Sequence, residues 1–156
     1  VQRGYTEPDP AIDLSGIDVE RKAIILGRTA GLLDDGMNLE RSGMVEDAWM
    51  GRDREALFSH LAQLNQPMAQ AFSEASQRGA RLRFMARITK NQATVRLGEI
   101  SAQTSIGQLK GTDNIVVIHS KRYQDRPLVV SGPGAGPAVT AMGVLGDLLR
   151  IAAERA

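Results

Sequence analysis

Four ionisable side chains that could move protons or hold a charged substrate fall within the first 22 residues: Glu7, Asp13, Asp18 and Lys22. Glu7 precedes Pro8 and lies on a loop stiffened by Pro8 and Pro10, whose fixed φ angles exclude a helix interior and push their neighbours to extended geometry. Asp18 and Lys22 are four apart, so on a helix they share one face. By spacing alone, the ordinary account of that pair is a solvated ion pair worth a few tenths of a kcal/mol. The ordinary account of Glu7 and Asp13 is turn chemistry and helix capping. A second candidate is the run Ser131-Gly132-Pro133-Gly134-Ala135-Gly136-Pro137 ahead of an apolar helical stretch. Such a turn can serve tight backbone geometry alone, or it can seat a phosphate on the free N–H groups of a helix N-terminus. No Gly-Lys-Ser/Thr follows, so it is not a Walker motif.

These residues need elements to position them. Ser15 reads as an N-cap, with Asp18 in the first turn. Val19, Ala23, Ile24, Leu26 and Ala30 then form a helical stripe that Gly31 can end. Residues 32–36 read as a turn and Met37–Met44 as a short strand. A second helix is expected over about 54–78, broken at Asn65-Gln66-Pro67. Residues 80–89 alternate Leu82, Phe84, Ala86 and Ile88 against Arg81, Arg83, Met85 and Arg87, the pattern of a half-buried strand with a basic outer face. Lys90-Asn91-Gln92 reads as a hairpin turn and Ala93–Ile100 as the returning strand. After a loop over 101–112 come two further strands, Ile115–Ile118 and Leu128–Val130, and a helix from Ala138 to the end. The expected fold is α+β: a mixed, antiparallel-leaning sheet of about four strands, helices packed on one face, and a C-terminal helix.

Length and composition limit the possibilities. The chain has 156 residues, 42% hydrophobic, enough for a core of ordinary domain size. Lys+Arg number 19 against Asp+Glu 18, a net charge of +1 that argues against a nucleic-acid or anionic-membrane partner. Absence of cysteine excludes disulfides, thiolate nucleophiles and Cys-based zinc sites. A cytoplasmic protein is expected, since no signal peptide is visible and no apolar run approaches the roughly 20 residues of a membrane span. Val1 stands first rather than Met, so the chain is expected to be a fragment or a processed product. His60 and His119 lack metal-ligand spacing, no calcium loop is formed by Asp34, Asp35, Glu40, Glu46 and Asp47, and no metal is expected. Ser131 does not sit in a nucleophile elbow. Trp49 and Met50 are expected to pack, and the Arg81/Arg83/Arg87 face to be solvated.

Read as one string, Gly4-Tyr5-Thr6-Glu7-Pro8-Asp9-Pro10, Asp13-Leu14-Ser15-Gly16, Asp18-Val19 and Arg21-Lys22 resemble the signature of the homoserine dehydrogenase family. A second block agrees independently. Gly111-Thr112-Asp113-Asn114, Arg122-Tyr123, Pro127-Leu128-Val129-Val130, Gly132-Pro133-Gly134-Ala135-Gly136, Val139-Thr140-Ala141 and Gly146-Asp147-Leu148-Leu149 are similar to that family's closing segment, and look closest to its fused aspartokinase–homoserine dehydrogenase form. The resemblance implies NAD(P)-dependent interconversion of L-homoserine and L-aspartate 4-semialdehyde in threonine and methionine biosynthesis. It implies Lys22 as proton donor and acceptor with Asp18 as its partner. Glu7 would hold the substrate ammonium, and Asp13 and Tyr5 would line the pocket. Gly136, Gly134 and Thr140 would lie beside an NADP or NAD cofactor held mainly by a domain this chain lacks, because no Gly-x-Gly-x-x-Gly fingerprint follows an opening strand. That domain would also supply a second lysine. The implied organisation is a substrate-binding, catalytic and dimerisation domain over 1–126 and a return segment over 127–156 that packs on the missing domain, in a homodimer formed through the sheet. The isolated fragment would be inactive. One departure stands out: Ala11-Ile12 replace a usual Arg-Asp pair. Two other classes fit the same residues, a non-catalytic dimerisation module retaining the signature and a nucleotide-binding module built on the Gly-rich turn.

Overall fold

The computed structural model describes residues 8–111, 113–134 and 136–155. Tyr5 and Glu7 lie outside them. The chain divides into two compact units, 1–102 and 103–156.

The first unit opens with two short helices in place of the single one expected. Helix α1 (Pro10–Ser15) starts six residues before the anticipated boundary. Asp9 is its N-cap, and Pro10 occupies the first helical position, where a missing N–H costs nothing. Ser15 is therefore not an N-cap. It is the last residue of α1, fully buried, and its hydroxyl donates to the Ile12 carbonyl at 2.9 Å. Gly16, at φ +83°, ends α1 and begins helix α2 (Ile17–Thr29). Strand β1 (Asn38–Ser42) follows, then a 3-10 turn (Asp47–Trp49) and helix α3 (Arg54–Gln77), capped by Asp53. α3 runs through Pro67 without the expected break. Leu57, Leu61 and Leu64 pack before Pro67 and Ala75 is buried after it, so tertiary contacts hold both halves in one helix.

Strands β2 (Ala80–Thr89) and β3 (Gln92–Ser101) form the expected hairpin, turning at Lys90-Asn91 with Asn91 at φ +55°. β3 is the central strand: β2 pairs with it antiparallel, and β1 pairs with it parallel on the other side. The register sets Leu39 and Arg41 of β1 on the same face as Ala93 and Val95 of β3 and Phe84, Ala86 and Ile88 of β2. α2 and α3 pack on β2, and Ala93 and Val95 are buried beneath the helices. Arg81, Met85 and Arg87 point to the opposite face with Arg96, as the alternation in the sequence implies. A separate core joins Ala11, Val45 and Leu57, with Leu14, Trp49, Met50 and Leu61 packed around them. His60 has a structural place here, stacked on Trp49 with ring centroids 4.3 Å apart.

The second unit holds strands β4 (Asp113–Ile118) and β5 (Leu128–Pro133), paired antiparallel with each other, and helix α4 (Pro137–Glu154). The α+β class, the mixed sheet and the C-terminal helix agree with expectation. The strands are divided between a three-stranded and a two-stranded sheet.

Two glycines near the α1–α2 junction are required by close approach. A Cβ on Gly16 would fall on the Phe84 ring, and one on Gly43 would collide with the backbone of Ser15. Gly31, also at positive φ, faces open space. Gly31→Ala is expected to cost about 1 kcal/mol from backbone strain alone. Gly43→Ala must displace backbone and is expected to cost about 3 kcal/mol. Urea midpoints of the two variants against wild type check the ranking; equal losses would contradict it.

Candidate functional site

The junction at Gly16 determines where the acidic and basic residues go. α1 has six residues, too few to be stable alone. It is held from three sides. At its start, Asp9 accepts from the Ala11 N–H at 2.9 Å and, through its other oxygen, from the Gly51 N–H at 2.7 Å. Along its length, Ala11 is fully buried against Val45 and Leu57. At its end, the Leu14 carbonyl accepts from the Met44 N–H at 2.8 Å.

Asp13 sits on the exposed side of α1, and its carbonyl accepts from the Gly16 N–H at 3.3 Å. Asp18 occupies the first turn of α2, where a carboxylate also complements the helix dipole. One turn later, Lys22 Nζ lies 2.7 Å from Asp18 Oδ2. Their side chains are 51% and 42% exposed for Lys22 and Asp18 respectively. An exposed pair of this kind adds little to stability. It leaves an ammonium and a carboxylate oriented together and open to an incoming ligand. Such a pair can transfer a proton to or from a hydroxyl brought within hydrogen-bonding reach.

The structure thus joins Asp18 and Lys22 and places Asp13 just before them on α1. Tyr5 and Glu7, four and two residues before Asp9, fall outside the described residues. In the second unit, Gly136 is the N-cap of α4 at φ +134°, a conformation that favours glycine. Thr140 ties back to it, with both its backbone N–H and its hydroxyl donating to the Gly136 carbonyl, at 3.1 and 3.0 Å. A Cβ on Gly134 would collide with the Asn114 side chain, so this glycine lets β4 and the turn after β5 approach. A Cβ at Gly136 would meet nothing within 4 Å. An open glycine at a helix N-terminus, with first-turn N–H groups lacking helical partners, fits the close approach of a phosphate-bearing cofactor.

Three residues important to this arrangement escaped the sequence reading: Asp9, Gly43 and Arg41. Asp9 had a legible signal, because an Asp followed by Pro is an N-cap followed by the first helical position. Arg41 had a weaker one: it shares parity with Leu39 in an expected strand and so was due to face the core. Its guanidinium donates from Nη1 to the Ser15 carbonyl at 2.8 Å and to Asp47 Oδ1 at 2.7 Å. From Nη2 it donates to Asp47 Oδ2 at 2.6 Å, and from Nε to Glu20 Oε2. The Arg41 hydrogen bonds hold the Asp47 carboxyl below its ordinary pKa. The backbone N–H groups of Gly51 and Ala11 do the same for Asp9.

A depressed folded pKa means that the stabilisation is fully present above the unfolded carboxylate value of about 3.9 and disappears as pH falls through the folded values. The chain is therefore expected to hold constant stability from neutral pH to about pH 5 and to lose it below about pH 4. Asp9→Asn and Asp47→Asn should each flatten that acid limb. Thermal melts across the pH range check this; an acid limb of unchanged steepness in the double variant would contradict it.

A family model described as homoserine dehydrogenase matches residues 1–149. The chain is 38% identical over 154 residues to the chloroplastic bifunctional aspartokinase/homoserine dehydrogenase 1 of Arabidopsis thaliana, covering 97% of this chain and 17% of that protein. It is 37% identical over 157 residues to homoserine dehydrogenase of Schizosaccharomyces pombe, covering 98% of this chain and 42% of that one. Among solved structures it is similar to a hyperthermophilic archaeal homoserine dehydrogenase in complex with NADPH, with a TM-score of 0.65, 25% identity, and coverage of 98% of this chain and 38% of the other. The chain thus spans less than half the length of these relatives.

Proposed function

The chain belongs to the homoserine dehydrogenase family, and we propose that it is the substrate-binding and catalytic portion of an enzyme that interconverts L-homoserine and L-aspartate 4-semialdehyde. The observation that carries this reading is the Lys22–Asp18 pair, oriented at 2.7 Å on the exposed side of α2. When bound, NAD or NADP takes or gives the hydride.

The chain's own residues handle the proton and the substrate. Oxidation of a primary alcohol needs a group that accepts the hydroxyl proton, and reduction needs one that returns it. Lys22 fills that role and Asp18 orients its ammonium. Glu7 holds the substrate ammonium, and Tyr5 and Asp13 line the same pocket. Gly136, Gly134 and Thr140 form the edge that meets the cofactor. A lysine works as a base where burial or a cationic neighbour favours its neutral form. Lys22 is half-exposed in this chain, so the covering surface comes from the dinucleotide-binding domain of the longer enzyme. The α4 helix supports that organisation: Met142, Leu145, Leu148 and Leu149 are all more than half exposed, an apolar surface suited to the same domain. On this reading residues 127–156 are a return segment, and the open face of the three-stranded sheet serves a homodimer.

The test is NAD(P)-dependent oxidation of homoserine by the full-length enzyme containing this domain, followed by absorbance of the reduced cofactor. Lys22→Ala is expected to lower kcat by roughly a hundredfold or more with a much smaller change in KM. Glu7→Ala is expected to act largely on KM for homoserine. Wild-type protein inert toward homoserine with either cofactor would sink the enzyme reading and favour a dimerisation module. Exchanged kinetic patterns would mean that the two roles are exchanged.

A further inference from the structure

We infer that Arg41 is a positioning residue for the proton-transfer site, setting the roll of α2 and its angle to α1. The inference deepens the functional reading above and rests on it. Arg41 lies on the helix-covered face of β1, opposite Val95 of β3, and its side chain is only 16% exposed. Its single planar guanidinium joins three segments: Glu20 of α2, the carbonyl of Ser15 at the end of α1, and the carboxylate of Asp47 in the 3-10 turn.

The position of Glu20 gives the clamp its consequence. Residues of an α-helix are separated by about 100°, so Glu20 lies about 160° from both Asp18 and Lys22 around the axis of α2. The tie to the sheet therefore grips the back of the turn whose front presents the ion pair. An off-axis tie at Glu20, added to the packing of α2 on β2, resists rotation of the helix about its axis, and the direction in which Lys22 projects is held with it. The bond to the Ser15 carbonyl extends the same control to α1, which carries Asp13. Gly16 alone would leave the two helices free to hinge, since glycine has the widest backbone freedom of any residue. Arg41 removes that freedom from one side and Phe84, packed against Gly16, from another.

Lysine cannot substitute here. Its compact ammonium on a flexible stem cannot bind two oxygens of Asp47 in a fork while also reaching Ser15 and Glu20. A misplacement of about 1 Å in a catalytic constellation costs on the order of a hundredfold in rate.

The experiment uses the full-length enzyme with Arg41→Lys and Glu20→Ala, each assayed for folded fraction by circular dichroism at the assay temperature. Both variants are expected to lower kcat, corrected for folded fraction, by roughly ten- to a hundredfold. KM for homoserine should change much less, and the limb of the kcat pH profile that disappears in Lys22→Ala should move. Arg41→Lys combined with Glu20→Ala should lose little more than the worse single variant, because both changes release the same helix. If Arg41→Lys fails to fold, Glu20→Ala decides, since it leaves the Ser15 and Asp47 bonds intact. A folded variant with wild-type kcat and pH profile would overturn the inference, as would a rate loss wholly explained by the unfolded fraction. Wild-type enzyme that does not oxidise homoserine would instead overturn the functional reading, which keeps the two failures distinct.

Discussion

Where α1 ends and α2 begins, three close contacts meet within a few residues. Gly16 turns the chain at φ +83° with Phe84 against it, Gly43 lies against the backbone of Ser15, and Arg41 reaches the Ser15 carbonyl from β1. None of these is an independent favourable contact that could be exchanged for another. Each requires the others: the arginine reaches Ser15 because Gly43 lets β1 come close, and the turn at Gly16 needs the space left beside Phe84. The elements that present charged groups to solvent, α1 and α2, are attached to the sheet through this junction. The rest of the first unit can be read as the means of holding it. β3 supplies Val95 and Ala93 beneath the helices, and α3 supplies the core that buries Ala11.

The energetics separate the groups that build the junction from those it displays. Arg41, with its fork on Asp47, is a mostly buried, multiply bonded charge, and removing it leaves Glu20 and Asp47 without their partner. The Asp18–Lys22 pair is half in water and adds only a few tenths of a kcal/mol. The mostly buried, multiply bonded guanidinium belongs to the frame of the junction, and the half-exposed pair to the surface that the junction displays.

Legibility in the sequence followed the range of the interaction. The β2–β3 hairpin was readable because its alternation and its turn are local, and the amphipathic stripe of α2 was readable for the same reason. α1 was missed because Pro8 and Pro10 read as barriers to helix, although a proline at the first helical position is compatible with one. Pro67 read as a break because its local penalty was visible, whereas the packing of Leu57, Leu61 and Ala75 on either side of it was not. The parallel pairing of β1 with β3 joins residues more than fifty apart and leaves no local mark. The same holds for the candidate site. Asp18 and Lys22 announce their shared face through spacing of four, while Arg41 meets Glu20 and Ser15 only after the sheet has formed. Tyr5 and Glu7 were singled out through the family signature alone and lie outside the described residues.

The departure at Ala11-Ile12 falls into place on the same structure. The family resemblance sets an Arg-Asp pair there, and the fold puts Ala11 at 0% exposure against Val45 and Leu57. A small apolar side chain fills that position in this chain and leaves no charge to be paired in the core. In this chain Ala11 seats α1 by apolar packing on the side away from the exposed Asp13, and Ile12 is half-buried beside it. A short helix with one apolar residue fully buried, a capping aspartate that also holds Gly51, and an arginine on its last carbonyl has its orientation set at both ends and in the middle. The change at Ala11 bears on how the helix is held, while Ile12 puts an apolar side chain at a partly exposed position.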